Sequence, residues 1–332
     1  MQQANKLFTI IIPTYNRCEM LKESLEIAIP QVRKFKEDVS LYISDNASTD
    51  NTKDVVDKYL KENQDFFSYY RHQENVGGQN NFRHAVRAVD SEYVCLLGDD
   101  DILFPNFVET IVNLLKENEE VGVINYNVMS VNYKLNNACL RERNIKKLSP
   151  TIYPSGKEFI YEHLRIPSLV SSNVFHRKRF IEQIDKIPVG TYPGYDWMAV
   201  LYNSCLSHKC IFVGWPLLLQ RYPQEQRWAI DAPWFYIYGF GRLFKDLDSQ
   251  IPGLYEHWIE HSHKENYGMM NYLLQIVSQN KELYKERFDI MRPYMGTQEY
   301  ETLFRLHLYH SQSYIDFKKS PLRYIYHKTV GK

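Results

Sequence analysis

"LFTIIIPTYNR", residues 7–17, sets a continuous apolar, β-branched run directly against a polar turn. Such a run, closed by a proline, reads as a buried strand that ends at Pro13. Strands hidden on both faces belong to parallel sheets covered by helices. The unit then repeats. "RCEMLKESLEIAIPQVRKF" carries Met20, Leu21, Leu25, Ala28 and Ile29 as a helical stripe, with Pro30 predicting a break or kink. "VSLYISD" is a second strand, and "STDNTKDVVDKYLKEN" a helix opened by Ser, Thr and Asp cap candidates. "FFSYYRH", "GGQNNFRHAVRAVD", "EYVCLLG", "FPNFVETIVNLLKEN" and "VGVINYNV" continue as strand, helix, strand, helix, strand. That alternation predicts an α/β fold with a Rossmann-like, mostly parallel central sheet covered on both faces. Ligands on such sheets bind beyond the carboxyl ends of the strands.

The chain, 332 residues long, can build one large domain or two smaller ones. Lys plus Arg equals Asp plus Glu at 40 each, which argues against binding nucleic acid through overall charge. Five scattered cysteines without metal-ligand spacing point to reduced thiols in a cytosolic compartment. The N-terminus lacks the basic region and cleavage site of a secretory signal, and no stretch approaches the roughly 18 apolar residues that span a bilayer. The expectation is a cytoplasmic protein, soluble or peripheral on the inner face of the cytoplasmic membrane. The last sixteen residues, "FKKSPLRYIYHKTVGK", hold five Lys or Arg and no acid; they read either as a peripheral contact with an anionic membrane or as a solvated terminus. His257, His261 and His263 lie close together, but without a His-Glu-x-x-His arrangement they read as a solvated helix face.

Four polar stretches each follow a strand: "PTYNR" (13–17), "SDNASTDNT" (44–52), "NVGGQNNF" (75–82) and "GDDD" (98–101). A parallel sheet brings all four to one crevice. Asp45 is placed to accept hydrogen bonds from a nucleobase, whereas Asn46, Ser48 and Thr49 are expected to bond to their own backbone. Gly77 and Gly78 allow close approach of the chain to a ligand. Asp99, Asp100 and Asp101 repel one another unless solvated or joined by a cation, and oxygen-only ligands suit Mg²⁺ or Mn²⁺. The alternative is an acidic turn or a cap on the helix beginning near Phe104.

Together, "FTIIIPTYNR", "LYISDNASTD", "NVGGQNNF" and "LLGDDDIL" resemble the nucleotide-sugar half of family 2 glycosyltransferases with the GT-A fold. The resemblance is close to about residue 130 and looser to 222. It implies inverting transfer of a sugar from a nucleotide diphosphate to an acceptor hydroxyl, with a divalent cation, Mn²⁺ or Mg²⁺, at a DxD-type motif. Carried over, it implies that Pro13, Thr14 and Tyr15 line the nucleotide, Asp45 meets the base, and Asn75, Gly77 and Asn81 flank the nucleotide sugar. Gly98 stands where the family's first acid is expected. In that register Asp100 is the main metal ligand, Asp101 the second and Asp99 lies near the ribose; another register reads Asp99-x-Asp101. Glycine before three acids resembles the branch that includes transferases for O-antigen sugars such as abequose.

An inverting transfer also needs a base for the acceptor hydroxyl. In the family it is an acid at the start of an acceptor-side helix, and Asp196 in "GTYPGYDWMAVLYNSC" fits, against the plainer reading of a helix cap. "SSNVFHRKRF" (171–180) resembles the segment between the two half-sites. Arg221 matches the Arg of the family's Tyr-Arg-x-His, Pro223 replaces the His, and Arg221 or Arg227 is left to pair with diphosphate.

The expected organisation is a catalytic domain over 1–222, divided into a nucleotide-sugar half (1–130) and an acceptor half (131–222), and a helical C-terminal region over 223–332. That aromatic-rich region suits a dimer surface or an acceptor groove. The implied acceptor is a saccharide, lipid-linked, in surface polysaccharide biosynthesis. Rival readings are a sugar nucleotidyltransferase, which would want a Gly-rich basic first loop, and a catalytically idle sugar- or lipid-binding module.

Overall fold

The computed structural model describes residues 6–131, 138–140, 149–164, 168–221, 229–262 and 267–310. Strand β1 (Lys6–Thr14) lies between β2 (Val39–Asp45) and β4 (Ser91–Leu96), parallel to both, and β3 (Phe67–Arg71) adds to the far side of β2. Phe8, Ile10, Ile11 and Ile12 are fully buried, as a strand covered on both faces requires. The strand does not stop at Pro13; it pairs through Pro13 and Thr14 with Ser44 and Asp45. The carbonyl of Ile11 accepts from Leu97 on the β4 side, and pairing with β4 ends there. Pro13, two residues on, faces the same side, so its missing N–H interrupts no ladder.

Helix α1 (Cys18–Lys34) likewise runs through Pro30. Pro30 is exposed, so the carbonyl that loses its bond faces water, while Leu21, Leu25, Ala28, Ile29 and Val32 hold the opposite face in the core. Burial stabilises by roughly 1.5–3 kcal/mol for each large aliphatic side chain, enough to offset one missing bond. Helices α2 (Thr52–Leu60), α3 (Gly78–Ala88) and α4 (Phe107–Glu117) follow as expected, but α4 begins after Asn106, and β5 (Ile102–Leu103) intervenes. The three acids therefore cap no helix.

The sheet runs β3-β2-β1-β4-β9-β6-β10-β5, where β6 is Val121–Val131, β9 is Asn173–His176 and β10 is Lys209–Arg221. Strand β9 enters antiparallel between β4 and β6, so the fifth expected strand joins the parallel set only through it. Within 131–167 the described residues contribute β7 (Ala138–Leu140) and β8 (Thr151–Tyr153) to the sheet, and α5 (Gly156–His163). Helices α6 (Arg177–Ile184) and α7 (Asp196–Cys205) complete the α/β part.

The chain divides into two compact units, Met1–Val189 with Trp197–Gln224, and Gly190–Asp196 with Glu225–Lys332. The second contains a π-helical segment, Trp234–Phe240, then α8 (Gly241–Leu247), α9 (Leu254–Glu260), α10 (Tyr267–Gln279), α11 (Lys281–Met291) and α12 (Gln298–Tyr309). Pro223, Arg227, His263 and the basic tail lie outside the described residues.

One carboxylate starts two helices. Asp50 accepts from the backbone N–H of Cys18 at 3.0 Å and from the N–H of Thr52, also at 3.0 Å. Asp50→Ala is expected to lower stability by about 1–2 kcal/mol, the cost of a lost cap, read as a fall in the urea midpoint at unchanged slope.

Candidate active site

Because β1, β2, β3 and β4 are parallel neighbours, the loops after them emerge at one edge of the sheet. They are tied to one another. Asn16 receives the N–H of Thr49 on its side-chain oxygen and donates its own N–H to the Ser48 hydroxyl. Asn46 donates to the side chain of Asn75 and accepts from the N–H of Val76. Asn46, Ser48 and Thr49 thus bond across loops, not to their own backbone as expected, because neighbouring strands place other loops within reach.

The acidic triplet is divided among partners. Asp99, 5% exposed, accepts from the Thr14 hydroxyl at 2.8 Å and from the Arg17 guanidinium at 2.8 Å. The same Arg17 nitrogen reaches Asp100 at 2.9 Å. Asp101 turns inward, 4% exposed, and accepts from the Arg221 N–H and from the Ser171 hydroxyl. Burial, and then the charge of Asp100, push its carboxyl up to about 7. Only Asp100 keeps appreciable side-chain exposure, 22%. Gly98 accounts for this spacing: a Cβ there would sit 3.0 Å from Asp100 Oδ1, 3.1 Å from Asp101 Oδ2 and 3.3 Å from Ser171 Oγ. A family-type acid at 98 would crowd the carboxylates it should assist.

Two of the three carboxylates share one guanidinium, and the third, Asp101, is buried with only a backbone N–H and a hydroxyl among its described hydrogen-bond partners. That excess of oxygen and charge fits an oxygen-ligated divalent cation, held by one or two carboxylates with substrate phosphates completing the set. Among the described residues no three His, Cys, Asp or Glu side chains converge as a ready-made cage.

The other expected residues fall at the same edge with varied freedom. Tyr15 is 43% exposed, its ring open. Asp45 is fully buried; Oδ1 accepts from the Ser48 N–H and Oδ2 from the Tyr69 hydroxyl, with Arg71 at 3.6 Å. Asn81, also buried, exchanges hydrogen bonds with Ser44 and takes a third contact from His72. Gly77, with φ of 82°, caps α3. Arg221 is committed to Glu23 on α1, so pairing with diphosphate would require it to leave that partner.

Asp196 opens α7 with 2% exposure, and both oxygens accept loop N–H groups, from Gly190 at 2.6 Å and Tyr192 at 2.7 Å. Each oxygen retains a second lone pair. The residue sequence reasoning missed is Arg17. It was legible as the one basic residue in the four loops, set against three acids.

Residues 9–184, more than half of the chain, match the model of Glycosyl transferase family 2, and the chain belongs to that family. Abequosyltransferase RfbV of Salmonella typhimurium is 40% identical over 98 residues, 29% of each chain. The chain spans half or less of the curated relatives it matches. The S. aureus TarS 1–349 complex with UDP-GlcNAc is similar with a TM-score of 0.61 at 15% identity, over 90% of this chain and 91% of that one. Mannosyltransferase PcManGT from Pyrobaculum calidifontis, in complex with GDP-Man and Mn²⁺, gives 0.52 at 15% identity, over 92% and 88%. At these identities the likeness shows the fold, which is GT-A.

The raised carboxyl of Asp101 has a pH consequence in metal-free protein. Native protein keeps a proton that the unfolded chain releases near pH 4, so this group's contribution to stability is present in acid and lost as pH rises through about 7. Asp101→Asn should flatten the decline in melting temperature across that window; a curve parallel to the parent would show that Asp101 is ionised throughout.

Proposed function

We propose that the chain is an inverting, divalent-cation-dependent glycosyltransferase that moves a sugar from a nucleotide diphosphate to a hydroxyl of a saccharide acceptor, lipid-linked, in surface polysaccharide biosynthesis. The observation that carries this reading is the acidic cluster bridged by Arg17 at the edge where four loops meet. Family membership supports it, as do the abequosyl activity in one relative's name and the UDP-GlcNAc, GDP-Man and Mn²⁺ in the structural neighbours' complexes.

In this reading Asp100 is the main cation ligand, Asp101 stands behind it, and Asp99, fixed by Thr14, faces the ribose. A Mn²⁺ or Mg²⁺ held by these acids would supply charge neutralisation for the departing diphosphate. Arg17 turns its planar guanidinium from the carboxylates to phosphate oxygens, and Arg221 supports it from β10. Pro13 and Thr14 line the nucleotide, and the open ring of Tyr15 stacks on the base. Asp45 meets the base edge once Tyr69 yields an oxygen. Asn75, Gly77 and Asn81 flank the nucleotide sugar.

Asp196 takes the proton of the acceptor hydroxyl through a remaining lone pair, its orientation fixed by the two loop N–H groups. The acceptor oxygen attacks the anomeric carbon from the face opposite the diphosphate, which inverts the configuration without a covalent intermediate. The catalytic halves occupy 1–130 and 131–222, with 223–332 as the helical region. No described helix is long and apolar enough to cross a membrane. The basic tail supplies a peripheral contact at the inner face of the cytoplasmic membrane.

Thermal shifts with UDP, CDP, GDP and dTDP, each with and without Mn²⁺, test the donor side. One nucleotide should stabilise the protein only with metal, and Asp100→Ala should abolish that shift. Equal, negligible shifts favour the idle module, and pyrophosphate release from a nucleoside triphosphate with sugar 1-phosphate favours the nucleotidyltransferase.

Asp196→Asn removes the proton acceptor and also turns an amide NH₂ toward one of the two loop N–H groups. It should cost about 10²–10⁴ in kcat, with a melting temperature lowered only by the one lost loop hydrogen bond. Retained turnover would leave Asp196 as a loop anchor only.

A further inference from the structure

The second unit presents an ordered aromatic strip that the donor chemistry does not use. Along the π-helical segment and α8, Tyr236, Phe240 and Phe244 point into a buried cluster with Trp258. Trp234, Tyr238 and Arg242, at the same four-residue spacing on another face, stay partly exposed. The rings of Trp234 and Tyr238 are 4.5 Å apart, and Tyr294 meets Tyr238 edge-on at 5.3 Å. The Arg242 guanidinium lies 5.4 Å from the ring of Tyr192 and 5.9 Å from that of Tyr238, and the Tyr192 hydroxyl is tied to Asp246. These rings are fixed before any ligand arrives.

The strip is fastened to the loop that carries Asp196. Arg242 donates to the Thr191 carbonyl at 2.8 Å. Gly239 lies so close to the loop that a Cβ would meet the Pro193 carbonyl oxygen at 2.4 Å. Gly194 returns the approach: its φ is +79°, and a Cβ there would touch the Phe235 ring at 3.0 Å. The same loop donates the N–H groups that aim the Asp196 carboxylate.

We propose that Trp234, Tyr238, Arg242 and Tyr294, backed by the buried ring of Tyr192, form the binding platform for the saccharide acceptor, a reading that rests on the transferase function proposed above. A sugar ring offers axial C–H groups to an aromatic face and hydroxyls to polar tips, and partly exposed Tyr and Trp answer both demands. Acidic neighbours argue against an anionic lipid surface here, since Asp246 lies 3.7 Å from Arg242 and Asp231 pairs with Arg287, which stacks on Trp234.

The test uses saturation-transfer NMR on the full chain with octyl glycosides of galactose, mannose, rhamnose and N-acetylglucosamine. At least one glycoside should receive saturation from aromatic protons. Tyr238→Leu should weaken its binding by about tenfold, while Tyr238→Phe, which keeps the ring, retains most of it. Trp234→Leu serves where Tyr238→Leu does not fold, as judged by melting temperature. No transfer to any glycoside, or equal binding by parent and Leu variants, overturns the platform. So does binding to phosphatidylglycerol vesicles, assayed in parallel, in place of binding to any glycoside. Hydrolysis of the nucleotide sugar by water, measured in parallel, reads the donor side alone: hydrolysis without glycoside binding fails the platform and spares the transferase reading, whereas binding without any turnover fails the latter.

Discussion

The guanidinium of Arg17 lies 2.8 Å from one carboxylate and 2.9 Å from the next, at the end of a strand whose preceding residues are wholly buried. Three neighbouring acids in that position would repel one another and bear a large desolvation cost. The fold removes most of the conflict by giving each acid its own direction: Asp99 toward Thr14, Asp100 toward the crevice and Asp101 toward β10. Gly98 makes the division sterically possible. What is left over is negative charge near Asp100 and Asp101, where a phosphate-bearing ligand would be repelled unless a cation came with it.

That edge is rigid for a second reason. Asn16, Ser48, Thr49, Asn46 and Asn75 exchange bonds across three loops, and Asp50 fastens the starts of two helices. A crevice assembled from such short loops is preorganised, so ordering them on ligand binding costs little. The exceptions are informative. The Arg17 side chain is 46% exposed and Tyr15 43% exposed, so these two side chains retain freedom to rearrange around a ligand.

The sequence made the first five long strands and their helices legible because a continuous β-branched run and an amphipathic stripe are local signals. Pro13 and Pro30 misled because their effect depends on what lies beside the missing N–H, which is set by neighbouring strands or solvent. Strand β9 carried no local sign that it would enter antiparallel between two others. Among the candidate residues, the exposure of Asp100, the burial of Asp45 and the commitment of Arg221 to Glu23 all arise from contacts across distant stretches. Arg17 was visible only by comparing the four loops as a set.

The family match ends at residue 184, before Asp196 and before the aromatic strip. The four polar loops thus lie within the region the family model matches, while the loop at 190–196 and the rings at 234–242 lie beyond it. Chemistry gives a reason for this division. Diphosphate, ribose and cation demand the same few groups whatever sugar is carried, whereas an acceptor is distinguished by the shape and stereochemistry of its hydroxyls. Rigid aromatic faces read shape at little entropic cost, and they change by substitution of single rings without disturbing the acids. The steric match of Gly194 and Gly239 fixes the aromatic face to the loop that aims Asp196, so that the proposed acceptor platform and the proposed base share one piece of backbone.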